Sequence, residues 1–256
     1  MASIDLAGLR EALADRGRRR LAAWIAPLAL VAAAAYAPLL AEFFQTLWAR
    51  EYYQHFPFVL AAFAWLLGSR AWEAREAIER HAGRRPAVTL ALAAAAWALL
   101  ALAYAAPSPW LAYLSLILLA AAAIAALGGG AAISGAWAAW ALRWLVLPPP
   151  LNRDQALITL LQRVSSRASS FVLDAWGVRH LMEGNTLLLP DKQFFVDEAC
   201  SGIISVMSII ACAAIYGVWL RRSLLHVALL AVLGVGWATL MNTLRISAIA
   251  IVYDGW

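Results

Sequence analysis

Two stretches of the chain set reactive side chains in an apolar context. The first, Phe194 to Ser205 (FFVDEACSGIIS), passes from a polar loop with two carboxylates and a cysteine directly into an apolar helix. The second, Asn242 to Ile246 (NTLRI), places an arginine inside another apolar run. A thiol attacks as its thiolate, and a helix start with free N–H groups and a positive dipole end lowers its pKa, as does a neighbouring guanidinium. The same donors can stabilise the oxyanion of an acyl-transfer intermediate. Cys200 therefore reads as a nucleophile and Arg245 as its cationic partner.

The neighbouring side chains carry secondary roles with open alternatives. Glu198 caps the helix start or accepts a proton. Ser201, Gly202 and Ser205 form a small-residue face suited to close helix packing, with Ser201 an alternative nucleophile. Asn242, one turn before Arg245, orients it or bonds another helix. An arginine inside a membrane helix is a functional candidate by default, snorkelling being the other reading. Cys212 reads as a small buried hydrophobe. His226, beside Arg222, belongs at the opposite depth from Cys200, and His180 reads as a solvated loop histidine within topological reach of the site.

The elements that position these residues follow from composition. With 64% hydrophobic and 14% charged residues and a mean hydropathy of +0.74, the chain is far more apolar than a soluble domain, where charged residues run at about 25%. The expected fold is all-α and polytopic, embedded in the lipid bilayer, and the 13 Trp and 7 Tyr suit the two headgroup levels. The net charge of +5 comes from arginines clustered between apolar runs, which is a topology signal and gives no reason to expect nucleic acid. Cys200 and Cys212 lie too far apart on one helix to bridge, and no metal site or other cofactor is expected. The N-terminus does not read as a cleaved signal peptide, so the first helix is taken as retained.

About seven spans are expected, each needing roughly 20 apolar residues. They are Leu21–Phe44, Tyr52–Gly68, Ala87–Ala106, Trp110–Leu127 ending at Gly128-Gly129-Gly130, Ala131–Leu147 ending at Pro148-Pro149-Pro150, Ala199–Leu220 and Leu224–Tyr253. Arginine clusters at 16–20, 70–85 and 221–222 put the N-terminus and those loops in the cytoplasm. Residues 1–150 form a membrane scaffold of about five helices, 151–198 an extracytoplasmic insert, and 199–256 the helix pair that carries the chemistry. In the insert, apolar residues at 157, 160, 161, 164, 168, 171 and 172 predict an amphipathic helix lying on the outer surface. Gly184-Asn185 and the runs LLL and FFV predict a small hairpin.

EACSGI at 198–203 entering one membrane helix, followed by NTLRI at 242–246 in the next, resembles the exosortase/archaeosortase family of membrane transpeptidases. The likeness is best over Leu157 to Val252; the first five helices match only in being apolar. The resemblance implies a cysteine enzyme of the bacterial inner membrane, with its N-terminus cytoplasmic and its active site facing the extracytoplasmic side. Its substrates would be exported proteins with a C-terminal sorting signal, made of a short motif, a membrane helix and a basic tail. It would cleave near the motif and pass the acyl group to a cell-surface acceptor. Cys200 matches the family's nucleophile, Arg245 its cation and Asn242 its N-x-x-R pattern. The family's third functional residue, usually His, follows a further loop; the sequence stops at Trp256, and is read as a fragment or as a degenerate or split member. A non-catalytic docking or assembly protein, and less so a transporter, are the alternatives.

Overall fold

Runs rich in Ala and Leu are strong helix formers, and without water their backbone groups must be satisfied within each segment. The computed structural model describes residues 30–80, 86–184, 186–189, 192–195 and 202–254. Its helices are α1 (Leu30–Trp48), α2 (Phe56–Arg80), α3 (Pro86–Ala105), α4 (Pro109–Ala141), α5 (Arg153–Trp176), α6 (Ile203–Trp219) and α7 (Leu224–Asp254), with 3-10 turns at Glu51–Tyr53 and Leu142–Leu145. Leu30–Trp48, Pro86–Ala105, Pro109–Ala126 and Leu224–Val252 are long and apolar enough to cross a membrane, and α6 is a shorter apolar helix. The molecule is an all-α polytopic membrane protein.

The sequence predicts that one helix stops at the triple glycine and another begins after it. The helical backbone instead runs on from Pro109 to Ala141. Even so, Trp140 Nε1 donates to the Ile117 carbonyl at 2.9 Å, the Tyr113 hydroxyl to the Arg143 carbonyl at 3.4 Å and Trp110 Nε1 to the Pro148 carbonyl at 2.8 Å. A straight helix would hold Ile117 and Trp140 about 35 Å apart. The element is therefore folded back between them into two antiparallel arms, and the glycines supply the backbone freedom for the bend. The α3–α4 turn follows the prolines as expected: Ser108 caps α4 by accepting from Leu111 N, with Pro109 just inside the helix.

α6 and α7 form an antiparallel pair in a register set by glycines. A Cβ on Gly217 would lie 2.1 Å from Val227 Cγ2, one on Gly234 2.5 Å from Ile209 Cγ2, and one on Gly202 3.3 Å from Asn242 Cβ. Each contact pairs positions equally far from the α6–α7 turn. α6, with 17 residues, is about 25 Å long, and α7, with 31 residues, about 46 Å. Because Asn242 is level with the start of α6, the last dozen residues of α7 project beyond it by about 18 Å.

On that projection the insert is built. α5 runs along α7, burying Ser165, Ser166 and Ser169 while Leu160, Val164 and Phe171 remain exposed. The expected amphipathic helix is present, and it meets the protein through its serines: they admit close approach and hydrogen bonds to α7, and much of the apolar stripe faces away from the protein. The strand with LLL pairs with the one that holds Phe194 and Phe195, Leu187 opposite Phe194 and Leu188 opposite Gln193, and the turn at Gly184 (φ 62°) adds a third strand. The result is an antiparallel sheet in the order β1 (Leu181–Glu183), β2 (Thr186–Leu189), β3 (Lys192–Phe195). Leu173, Leu187, Ile246 and Ala250 form the small core between α5, sheet and α7.

The beginning of α5 is tied to the α1–α2 corner. Asp154 is buried, and its Oδ2 accepts from the Tyr52 hydroxyl at 3.3 Å, the Tyr53 hydroxyl at 3.2 Å and Arg50 Nη1 at 3.2 Å. Burial, and then the Asp154 charge, push both phenols upward, Tyr53 the further, so they stay protonated donors. This anchor explains why α2 starts at Phe56 rather than at the expected Tyr52: residues 51–53 form the 3-10 turn that presents the two tyrosines. Asp154→Ala strands two buried hydroxyl donors, Tyr52 and Tyr53, and is expected to cost about 2–3 kcal/mol, read as a lower melting temperature in detergent.

Candidate functional site

The two sequence motifs meet at Gly202 and Asn242. α6 begins at Ile203, and Gly202, with φ +75°, is its N-cap residue. That left-handed conformation favours glycine, and the missing side chain lets Asn242 lie directly against it. The expectation that α6 begins at Ala199, with Cys200 in its first turn, is corrected: the described helix starts four positions later, at Ile203. Glu198, Cys200 and Ser201 lie outside the described residues.

Asn242 is buried and donates from Nδ2 to Ser165 Oγ at 3.1 Å. Of its two expected roles, bonding another helix is therefore seen. One residue on, the Thr243 carbonyl accepts from Ser169 Oγ at 3.3 Å and from Ser247 Oγ at 2.9 Å. A polar seam thus joins α5 to α7 beside the start of α6, with Ser165 Oγ on the Asn242 amide and the hydroxyls of Ser169, Thr243 and Ser247 on carbonyls. Arg245, three positions from Asn242, is exposed and lies about 5 Å further along α7, beyond the level at which α6 starts. Gly202 belongs to the packing face as expected, but Ser205 is exposed and does not.

Two other expectations change. Cys212 is exposed on the outside of the bundle, where an apolar thiol meets lipid as readily as a protein core. His180 is not solvated: its side chain is 3% exposed, with Nδ1 3.0 Å from the Val178 carbonyl and Nε2 2.7 Å from Ser170 Oγ. The carbonyl accepts only from Nδ1–H, so in a neutral ring Nε2 is the acceptor and Ser170 the donor, and Asp174 Oδ1 lies 3.9 Å from the same Nε2. His226 sits at the other end of the bundle, its backbone N–H on Ser223 Oγ.

Ser165, Ser169 and Thr243 are site-supporting residues that hydropathy reasoning passed over. Their signal was the spacing of Ser165 and Ser169, one helical turn apart, which marks one face. Gly202→Ala is expected to lose about 1–2 kcal/mol from the left-handed backbone alone, and to push Asn242 off its seat. Melting temperature and substrate processing should fall together; an unchanged melting temperature would remove Gly202 from the site.

A family model described as transmembrane exosortase matches residues 47–256. No curated protein and no solved structure matches the chain.

Proposed function

The chain belongs to the transmembrane exosortase family, and from that premise we propose that it is a cysteine transpeptidase acting on exported proteins that carry a C-terminal sorting signal. The observation that carries this reading is the seating of Gly202 on Asn242. That contact brings the EACSGI and NTLRI motifs together, which supports a shared site for Cys200 and Arg245.

The Cys200 thiolate attacks the scissile carbonyl near the signal motif, and Arg245 faces the developing oxyanion. The C–N bond breaks, the leaving amine takes up a proton, and a thioester to Cys200 remains. An amine-bearing or other cell-surface acceptor attacks that thioester and gives up its N–H or O–H proton, the C–S bond breaks and the thiolate is regenerated. General acid–base assistance of this kind typically contributes about 10²–10⁴ in rate. Both ring nitrogens of His180 are engaged, which favours a different residue for that task. Asn242 and Gly202 position, while Glu198 and Ser201 flank the nucleophile.

The arginines at the α6–α7 turn and on the far part of α2 support a bacterial inner-membrane orientation with that end cytoplasmic and the sheet and site extracytoplasmic. The test is processing of a co-expressed sorting-signal substrate. Cys200→Ala should abolish cleavage. Arg245→Lys, which keeps charge but loses the planar fork, should slow it about 10- to 100-fold. Full cleavage by Cys200→Ala sinks the proposal, and binding without cleavage by the wild type would instead indicate a docking protein.

A further inference from the structure

At the end of the bundle opposite the sheet, a cleft of about 820 Å³ opens between α2, the second arm of α4 and the α6–α7 turn. Its volume falls within the roughly 300–1,000 Å³ of small-molecule sites. The wall is floored by small residues, among them Gly135, Ala138 and Ala214, and the rim carries Arg70, Glu73, Arg221 and Arg222. We propose that this cleft binds one anionic phospholipid, its phosphate on Arg221 and Arg222 and an acyl chain along the small-residue wall.

Charge selects the occupant. Three guanidinium groups against one carboxylate leave the rim positive. Arg70 is committed to the fold, donating from Nη2 to the Val218 carbonyl at 2.8 Å. Glu73 is paired with Arg221 and lies 3.8 Å from Arg70, while Arg222 is exposed and has no ion pair among the described residues. A helix with a basic tail would bring like charge to this rim, whereas a phosphodiester on Arg222, beside the Arg221 guanidinium that it would share with Glu73, is matched.

The backbone adds an independent sign. α6 ends with Arg222 N–H on the Gly217 carbonyl at 2.9 Å and Arg221 N–H on the Val218 carbonyl at 3.3 Å. In this arrangement the residue at 221 takes a left-handed conformation, for which glycine is preferred, yet it is an arginine with φ 53°. The charge is held at a conformational cost, as residues kept for binding are.

The experiment follows unfolding of the full chain in neutral detergent by tryptophan fluorescence, with added phosphatidylglycerol, phosphatidylcholine or inorganic phosphate. Phosphatidylglycerol alone should raise the melting temperature, by about 2–4 °C, and remain bound in native mass spectra. The Arg221→Gly/Arg222→Gln variant should keep its melting temperature in phosphatidylcholine and lose the increment. Gly135→Leu should lose it too by filling the cleft, since a Cβ there meets nothing within 4 Å. Equal shifts from the two lipids, a full response to phosphate alone, or an unchanged response in the charge variant overturns the proposal. So does recovery of a second copy of the chain, or of a basic-tailed helical peptide, in place of lipid on a photocrosslinker at Ala138.

Discussion

Asn242 is the side chain on which the arrangement depends. A buried amide needs partners, and this one is seated against Gly202 at the entry of α6 and bonded to Ser165 of α5. Three segments far apart in sequence are thereby fixed at one point. The α6–α7 register is dictated by glycines at 202, 217 and 234, each at a place where a β-carbon would meet the facing helix. Close approach of this kind drives helix association in lipid, where burying apolar surface gains nothing.

The length of α7 has a structural use. A hydrocarbon layer of about 30 Å needs roughly 20 helical residues, and α7 has 31. Its surplus is a post standing past the level of α6, and α5 and the sheet are mounted on it through Leu173, Leu187, Ile246 and Ala250. Asp154 fixes the other end of α5 to the α1–α2 corner. The polar insert is thus a clamped layer over the junction, its strands paired with one another and its Ser165 and Ser169 bonded to the Asn242 side chain and the Thr243 carbonyl of α7. Arg245 is exposed just beyond the level at which α6 starts.

The membrane class, the prolines and glycines at the turns and the pairing of the two motifs were legible in the sequence because each rests on a strong local rule. Apolar runs demand helices, Pro109 begins one, and Gly202 marks a close approach. What escaped was decided by tertiary contacts. The period of α5 identified two faces but could not say that serines would be inward, because in membrane proteins small polar residues are as good a packing surface as leucines. The burial of His180 depended on Ser170 and the Val178 carbonyl, neither of which is signalled by the histidine's own neighbours. Cys212 was misplaced since a bundle surrounded by lipid has two apolar environments, and hydropathy does not distinguish them.

The account centres on Cys200 and Arg245 sharing one site, and the thiol's own titration tests it most directly. Alkylation of Cys200 would be followed against pH in a Cys212→Ala background, with Arg245 intact and with Arg245→Gln. A guanidinium within about 4–6 Å lowers an acidic group by roughly 1–3 pH units, so its removal should move the midpoint upward by at least about one unit. Superimposable profiles would contradict the account.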